Sequence, residues 1–159
     1  MNFQTGDRVM HSTYGLGYVR AIEKHTVDDT TTLYYMVQTA DLTIWVPADK
    51  NMKNRLRYPT SAANFRKMLT ILSGPAGPLP DDRRRRYIQL LEQLNEGGIE
   101  SICKVIRDLT AYRHSHTRND YDSALMKRAN KTLIGEWSIS LSVTPREAEM
   151  ELNRLLEPS

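Results

Sequence analysis

Pro59 separates two incompatible periodicities, and that switch constrains the fold more than any other feature of the chain. Before it, apolar residues alternate with a period of two, as in half-buried β-strands. After it they recur at three and four, as on one face of a helix. The strand pattern is clearest in Leu33-Tyr34-Tyr35-Met36-Val37-Gln38-Thr39 and Leu42-Thr43-Ile44-Trp45-Val46-Pro47, joined by a tight connection at Ala40-Asp41. Both runs are rich in residues that suit a pleated, half-buried surface. In the second run Leu42, Ile44 and Val46 point one way, and Thr43 and Trp45 the other. Trp45 therefore either covers a second layer of the protein's own structure or anchors a partner, since Trp is enriched at interface hot spots.

The rest of residues 1–58 fits the same β reading. Gly6-Asp7 signals a turn, Arg8–His11 a short strand, Tyr14-Gly15-Leu16-Gly17 a second turn, and Tyr18–Ile22 an alternating strand. His25–Thr32 is polar and reads as a hairpin loop. Leu56-Arg57-Tyr58 completes a set of five short strands, which predicts a small Tudor- or SH3-like barrel. The fold class is thus α+β in two domains, a β-barrel over 1–58 and an all-α bundle over 59–159.

The helical part opens with Ser61 as N-cap of a segment carrying Phe65, Met68, Leu69 and Leu72. Residues 73–80, Ser-Gly-Pro-Ala-Gly-Pro-Leu-Pro, cannot be helical and form an extended connector. Asp81 or Asp82 caps the next helix, with Tyr87, Leu90, Leu91 and Leu94 on its apolar face, and Gly97-Gly98 ends it. A third helix starts near Ile99. A polar break at His114–Arg118 precedes a long helix opened by Asn119 or Asp120. Thr144-Pro145-Arg146-Glu147 is a capping box with proline at the first helical position.

Catalytic chemistry has no visible carrier. Gly15-Leu16-Gly17 lacks the third glycine and following helix of a phosphate loop. His114 and His116 have no neighbouring Cys or carboxylate cluster to complete a metal site. Asp28-Asp29 and Asp81-Asp82 read as loop and cap residues. The lone Cys103, flanked by Ile102, Val105 and Ile106, reads as a buried thiol. No catalytic residue, cofactor or metal is expected, and a binding protein is favoured over an enzyme. The N-terminus lacks signal-peptide character, and no apolar run is long enough to cross a membrane.

The net charge of +3 is unevenly spread. Residues 59–118 carry 10 Lys and Arg against 6 Asp and Glu, whereas residues 119–159 carry 5 against 7. The basic segment contains Arg83-Arg84-Arg85-Arg86, a modest footprint for nucleic acid.

Several motifs together carry a resemblance. They are Phe3-x-x-Gly6-Asp7-x-Val9, Gly15-x-Gly17, Tyr34-Tyr35 and Asp41-Leu42-Thr43-Ile44-Trp45-Val46-Pro47-Ala48-Asp49, followed by Lys104–Leu109 and Lys127–Glu136. In this order they are similar to the CarD/CdnL family of bacterial transcription regulators, whose β module also occurs in the transcription-repair coupling factor. The resemblance implies a Tudor-like module that sets a strand edge against the β subunit of RNA polymerase. It also implies a helical domain that contacts promoter DNA at the upstream edge of the melted bubble, through backbone and minor groove. On this reading His25, Tyr35, Trp45 and Pro47 bind polymerase, and Arg83, Arg84, Arg85, Arg86 and Arg128 bind DNA. The implied protein is a monomer of the bacterial cytoplasm and nucleoid, with no membrane partner.

Three departures from the family pattern stand out. Arg83 occupies the place of the family's wedge Trp in a W-x-x-R-Y setting. Ser123-Ala124 replace a basic pair. Trp45 and His25 stand where arginines are common. A divergent polymerase-docking factor without the wedging role, and an unrelated Tudor-like protein-binding module, are the alternatives.

Overall fold

A computed structural model of the chain describes residues 2–158. The order is β1 (Arg8–His11), β2 (Gly15–Val27), β3 (Thr30–Gln38), β4 (Thr43–Pro47), β5 (Leu56–Arg57), then α1 (Ala62–Leu69), α2 (Arg83–Asn95), α3 (Ile99–Ser115), α4 (Asp120–Leu141) and α5 (Pro145–Leu156). The chain divides into two compact units between Pro59 and Thr60.

In the first unit five antiparallel strands form one sheet in the order β4-β3-β2-β1-β5. The expected barrel is corrected to an open sheet, because β4 and β5 lie at its two edges and do not pair. β5 is two residues long, and β4 ends at Pro47, which has no N–H to extend a ladder. The inner face buries Phe3, Val9, Val19, Tyr35, Val37 and Val46. The Phe3 ring meets Tyr35 edge-on at 5.5 Å and leans on Tyr58 at 4.8 Å.

Two expectations for β2 and β3 are corrected. His25–Thr32 is not a loop, since the ladder continues through His25↔Thr32 to Val27↔Thr30. Only Asp28 and Asp29 turn, both at positive φ (49° and 63°), the requirement of a two-residue type I′ hairpin. The threonines that look polar in sequence are β-branched strand residues, and Thr26 and Thr31 join hydroxyls across the pair at 3.0 Å. Likewise Gly15–Gly17 belongs to β2. A Cβ on Gly17 would lie 2.7 Å from the Gln38 carbonyl oxygen, so only glycine fits there.

β2 also carries a bulge. Val19 pairs with Val37 and Ala21 with Met36, leaving Arg20 as an extra residue. Because a one-residue slip exchanges the two faces of a strand, the bulge moves Ala21, Glu23 and His25 onto the outer face. An unbroken ladder would put Arg20, Ile22 and Lys24 there instead.

The second unit is built around α3, which buries Ile102, Cys103, Val105, Ile106 and Leu109 among α1, α2 and α4. Side-chain caps start the helices: Ser61 accepts from Asn64 N–H, Asp82 from Arg85 N–H, Asn119 from Tyr121 and Asp122 N–H, and Thr144 from Glu147 N–H. The connector is tied at its middle and at its C-terminal end. Gly77 N–H donates to Asp108 Oδ1 at 2.8 Å, and the carbonyls of Pro80 and Asp81 each accept from Arg86 Nη1 at 3.1 Å. Cys103 is fully buried, and burial pushes its thiol pKa up to about 12, so it stays protonated and unreactive.

Candidate interaction surfaces

β4 is the longer free edge of the sheet. The Ala48 N–H to Leu33 C=O and Thr39 N–H to Leu42 C=O bonds, both 2.8 Å, fix the phase of the β3–β4 ladder. Hydrogen-bonded and non-bonded pairs alternate along an antiparallel ladder. Thr43 and Trp45, opposite Gln38 and Met36, are therefore non-bonded positions whose N–H and C=O turn away from β3. Pro47 ends this run, its carbonyl 3.5 Å from Arg55 Nη2.

Trp45 lies on the outer face and is 42% exposed, while its neighbour Val46 is buried. His25 meets Tyr34 and Trp45 edge-on, each at 5.2 Å, and Tyr34 meets Trp45 at 6.4 Å. Such edge-to-face contacts suit aromatic quadrupoles and fix the rings relative to one another. Glu23 Oε2 lies 3.3 Å from His25 Nε2. One residue, Trp45, thus offers both strand-edge hydrogen-bonding groups and an aromatic side chain.

Tyr35 does not belong to this surface. It is only 2% exposed, on the inner face against Phe3, because strand alternation sends it with Val37 into the core. Its neighbour Tyr34 occupies the outer face, so the polymerase-binding role expected of Tyr35 is corrected to a core role.

The second surface lies at the start of α2. Arg83, Arg84 and Arg85 are exposed and form no salt bridge among the described residues. The Asp82 carboxyl is held below the usual carboxylate range, first by the Arg85 N–H and then by the Arg84 N–H. Beside them is a cleft of about 440 Å³ lined by Asp82, Arg83, Arg84, Tyr87 and Tyr121.

Arg86 departs from its three neighbours and from the expected DNA contact. It is 2% exposed. Its guanidinium forks onto Asp122, Nε to Oδ1 at 3.0 Å and Nη2 to Oδ2 at 2.9 Å, and Nη1 donates to Tyr112 Oη at 3.0 Å. It also sits 4.5 Å from the centre of the Tyr112 ring. The bond to Asp122 is the main cause raising its pKa. Arg86 shares the inward stripe of α2 with Leu90 and Leu94, one helical turn apart each. It is a buried link between α2, the connector, α3 and α4, and cannot reach DNA.

Arg128, on α4, donates from Nη2 to Asn95 Oδ1 at 3.0 Å. Asn95 is the last residue of α2, roughly 18 Å along the axis from Arg83 at 1.5 Å per residue. The structure brings Arg83, Arg84 and Arg85 together and leaves Arg128 at the far end of the helix. His114 and His116 do not converge on a metal site. His116 stacks on Tyr112 at 3.7 Å, with Asp81 Oδ1 3.4 Å from its Nε2.

Residues 3–58 match the CarD-like/TRCF RID domain, and residues 67–153 match the CarD C-terminal domain. This chain belongs to the CarD family. It is also similar to a Bacillus subtilis (strain 168) protein named "Putative transcription factor YdeB", 21% identical over 147 residues that span 91% of this chain and 96% of that protein. CarD proteins are transcription regulators, and the two family matches cover the β unit and the helical unit in turn.

Two residues of this CarD protein's surfaces, Tyr34 and Tyr121, are not among the binding residues that the resemblance implies. Tyr34 was legible from alternation, since it lies two positions from Met36 and out of phase with Val37. Tyr121 left one signal, its place just after the Asn119 cap at the start of a helix.

Proposed function

We propose that this protein docks on the β subunit of bacterial RNA polymerase through the free edge and outer face of β4. We propose further that it contacts promoter DNA near the upstream edge of the bubble with the start of α2, modulating the stability of the open complex. The observation that carries the reading is Trp45, an exposed aromatic on an edge strand whose outward N–H and C=O groups are open to a partner strand. Strand addition gains affinity from main-chain bonds and specificity from side chains flanking the edge. His25, Tyr34 and Pro47 border Trp45 on the same face. The match of residues 3–58 to a domain shared with the coupling factor supports the same partner.

The experiment measures affinity for the isolated β-subunit lobe. Trp45→Ala weakens binding by on the order of 2 kcal/mol, the scale of an interface aromatic hot spot, while far-ultraviolet circular dichroism stays as in the unmodified protein. Unchanged affinity in a folded variant overturns the docking surface.

One observation favours a second reading, docking without DNA contact. Asp81 and Asp82 flank the arginine run and Asp120 opens the adjoining helix, which dilutes its charge. A footprint on promoter complexes separates the two: protection upstream of the bubble supports the first, and its absence the second.

A further inference from the structure

Tyr121 is the most exposed aromatic among the described residues, at 65%. It is not a loose surface ring. Its backbone N–H donates to the Asn119 cap at 2.8 Å, and its ring meets Tyr87 at 5.8 Å in a T-shaped contact. Tyr87 in turn is half-buried on α2, so the Tyr121 ring is held at one side and open over the rest. It forms one wall of the cleft that Arg83 and Arg84 also line. We propose that Tyr121 is a stacking platform for an unpaired base, with Arg83 and Arg84 holding the adjoining phosphates.

This rests on the DNA contact proposed above and names the structure it selects. Proteins that bind single strands combine cations along the backbone with aromatic faces on which bases stack. The local charge argues for stacking as the selective part. Arg83, Arg84 and Arg85 are opposed by Asp81, Asp82 and Asp120, while Asp122 is consumed by the buried pair with Arg86. So diluted a patch grips duplex phosphates weakly. A duplex offers no free base face to Tyr121, whereas a melted fork does. The preference for a fork over a duplex should therefore reside in Tyr121, and general DNA affinity in the arginines.

The test compares the full chain on two DNAs of equal length, a duplex and a fork with 2-aminopurine at its first unpaired position. The unmodified protein should prefer the fork and change the 2-aminopurine emission. Tyr121→Ala should lower fork affinity about five-fold or more and abolish the emission change, with duplex affinity unaltered. Tyr121→Phe, which keeps the ring, should retain both signals. Arg83→Ala with Arg84→Ala should weaken fork and duplex alike. The stacking role is overturned if Tyr121→Ala keeps the fork preference, or loses fork and duplex equally. If the unmodified protein binds neither DNA, alone or with polymerase, the DNA contact itself fails and the stacking role with it.

Discussion

The guanidinium of Arg86 gives two hydrogen bonds to Asp122, one to Tyr112 and one each to the carbonyls of Pro80 and Asp81, all at 2.9–3.1 Å. Removing one partner of a buried ion pair leaves an uncompensated charge, at a cost of about 3–5 kcal/mol. Arg86→Ala should therefore destabilise the protein on that scale in urea unfolding, whereas Arg83→Ala should stay within about 0.5 kcal/mol. Arg86→Lys should fall between, because an ammonium keeps the charge but cannot fork onto a carboxylate. His11 gives a pH-dependent counterpart. It is buried, and its Nδ1 accepts from the N–H groups of Thr13 at 3.0 Å and Tyr14 at 3.3 Å. Burial, and then the Arg55 charge, lower its pKa from 6.5. The folded state holds His11 neutral, so the unfolded chain binds its proton first as pH falls. The stability this residue contributes is complete above 6.5 and declines through lower pH until the folded pKa is passed. Unfolding free energy measured from pH 7.5 to 5 should fall accordingly. His11→Asn, which keeps an acceptor but does not titrate, should flatten that slope.

The start of α2 places three free cations where the helix macrodipole disfavours them, a cost of a few tenths of a kcal/mol each at low salt. Asp82 offsets part of it as the cap. A helix that tolerates this is suited to an anionic partner, and phosphate contacts release counterions. Arg83→Ala with Arg85→Ala should therefore weaken promoter-complex binding. It should also reduce the slope of log affinity against log salt by about 0.9 for each phosphate no longer neutralised, with affinity for the β subunit unchanged. An unchanged slope and affinity would remove the run from the DNA surface. What could be read of such elements beforehand follows from where their determinants lie. Ser61, Asp82, Asn119 and Thr144 cap helices through bonds to residues two or three positions on, so their chemistry is local and visible in sequence. The inward turn of Arg86 was implicit in its spacing from Leu90 and Leu94, and that of Tyr35 in its spacing from Val37. The bulge at Arg20 left no such mark. An extra residue in one strand is defined only against its partner, yet it decides that His25 and not Lys24 joins Tyr34 and Trp45. The type I′ turn was hidden differently, because Asp28-Asp29 lacks the glycine that usually announces positive φ.

At the scale of the whole molecule, each unit has its own apolar core. One is centred on Val9, Val19, Val37 and Val46, and the other on Ile106, Leu109, Leu90 and Leu133. Separate cores permit separate folding, but a unit of about 60 residues buries only about 60% of the surface its unfolded chain exposes and is marginal alone. The position of a cut then matters. Tyr58 closes the β unit: its hydroxyl donates to Asp7 Oδ2 at 2.8 Å and its ring covers Phe3 at 4.8 Å. Just before it, Leu56 and Arg57 pair with His11 and Met10. A fragment ending at Tyr58 keeps all of these, whereas one ending at Arg55 loses β5 and the cover on Phe3. The longer fragment should melt cooperatively, at a lower temperature than the intact chain, and should bind the isolated β-subunit lobe with the affinity of the full protein. The shorter one should not fold. Both are read by thermal denaturation followed by titration with the lobe. If the Tyr58 fragment aggregates or binds nothing, the helical unit supplies either stability or binding surface that β4 and its aromatic face lack, and the docking role no longer belongs to the sheet alone.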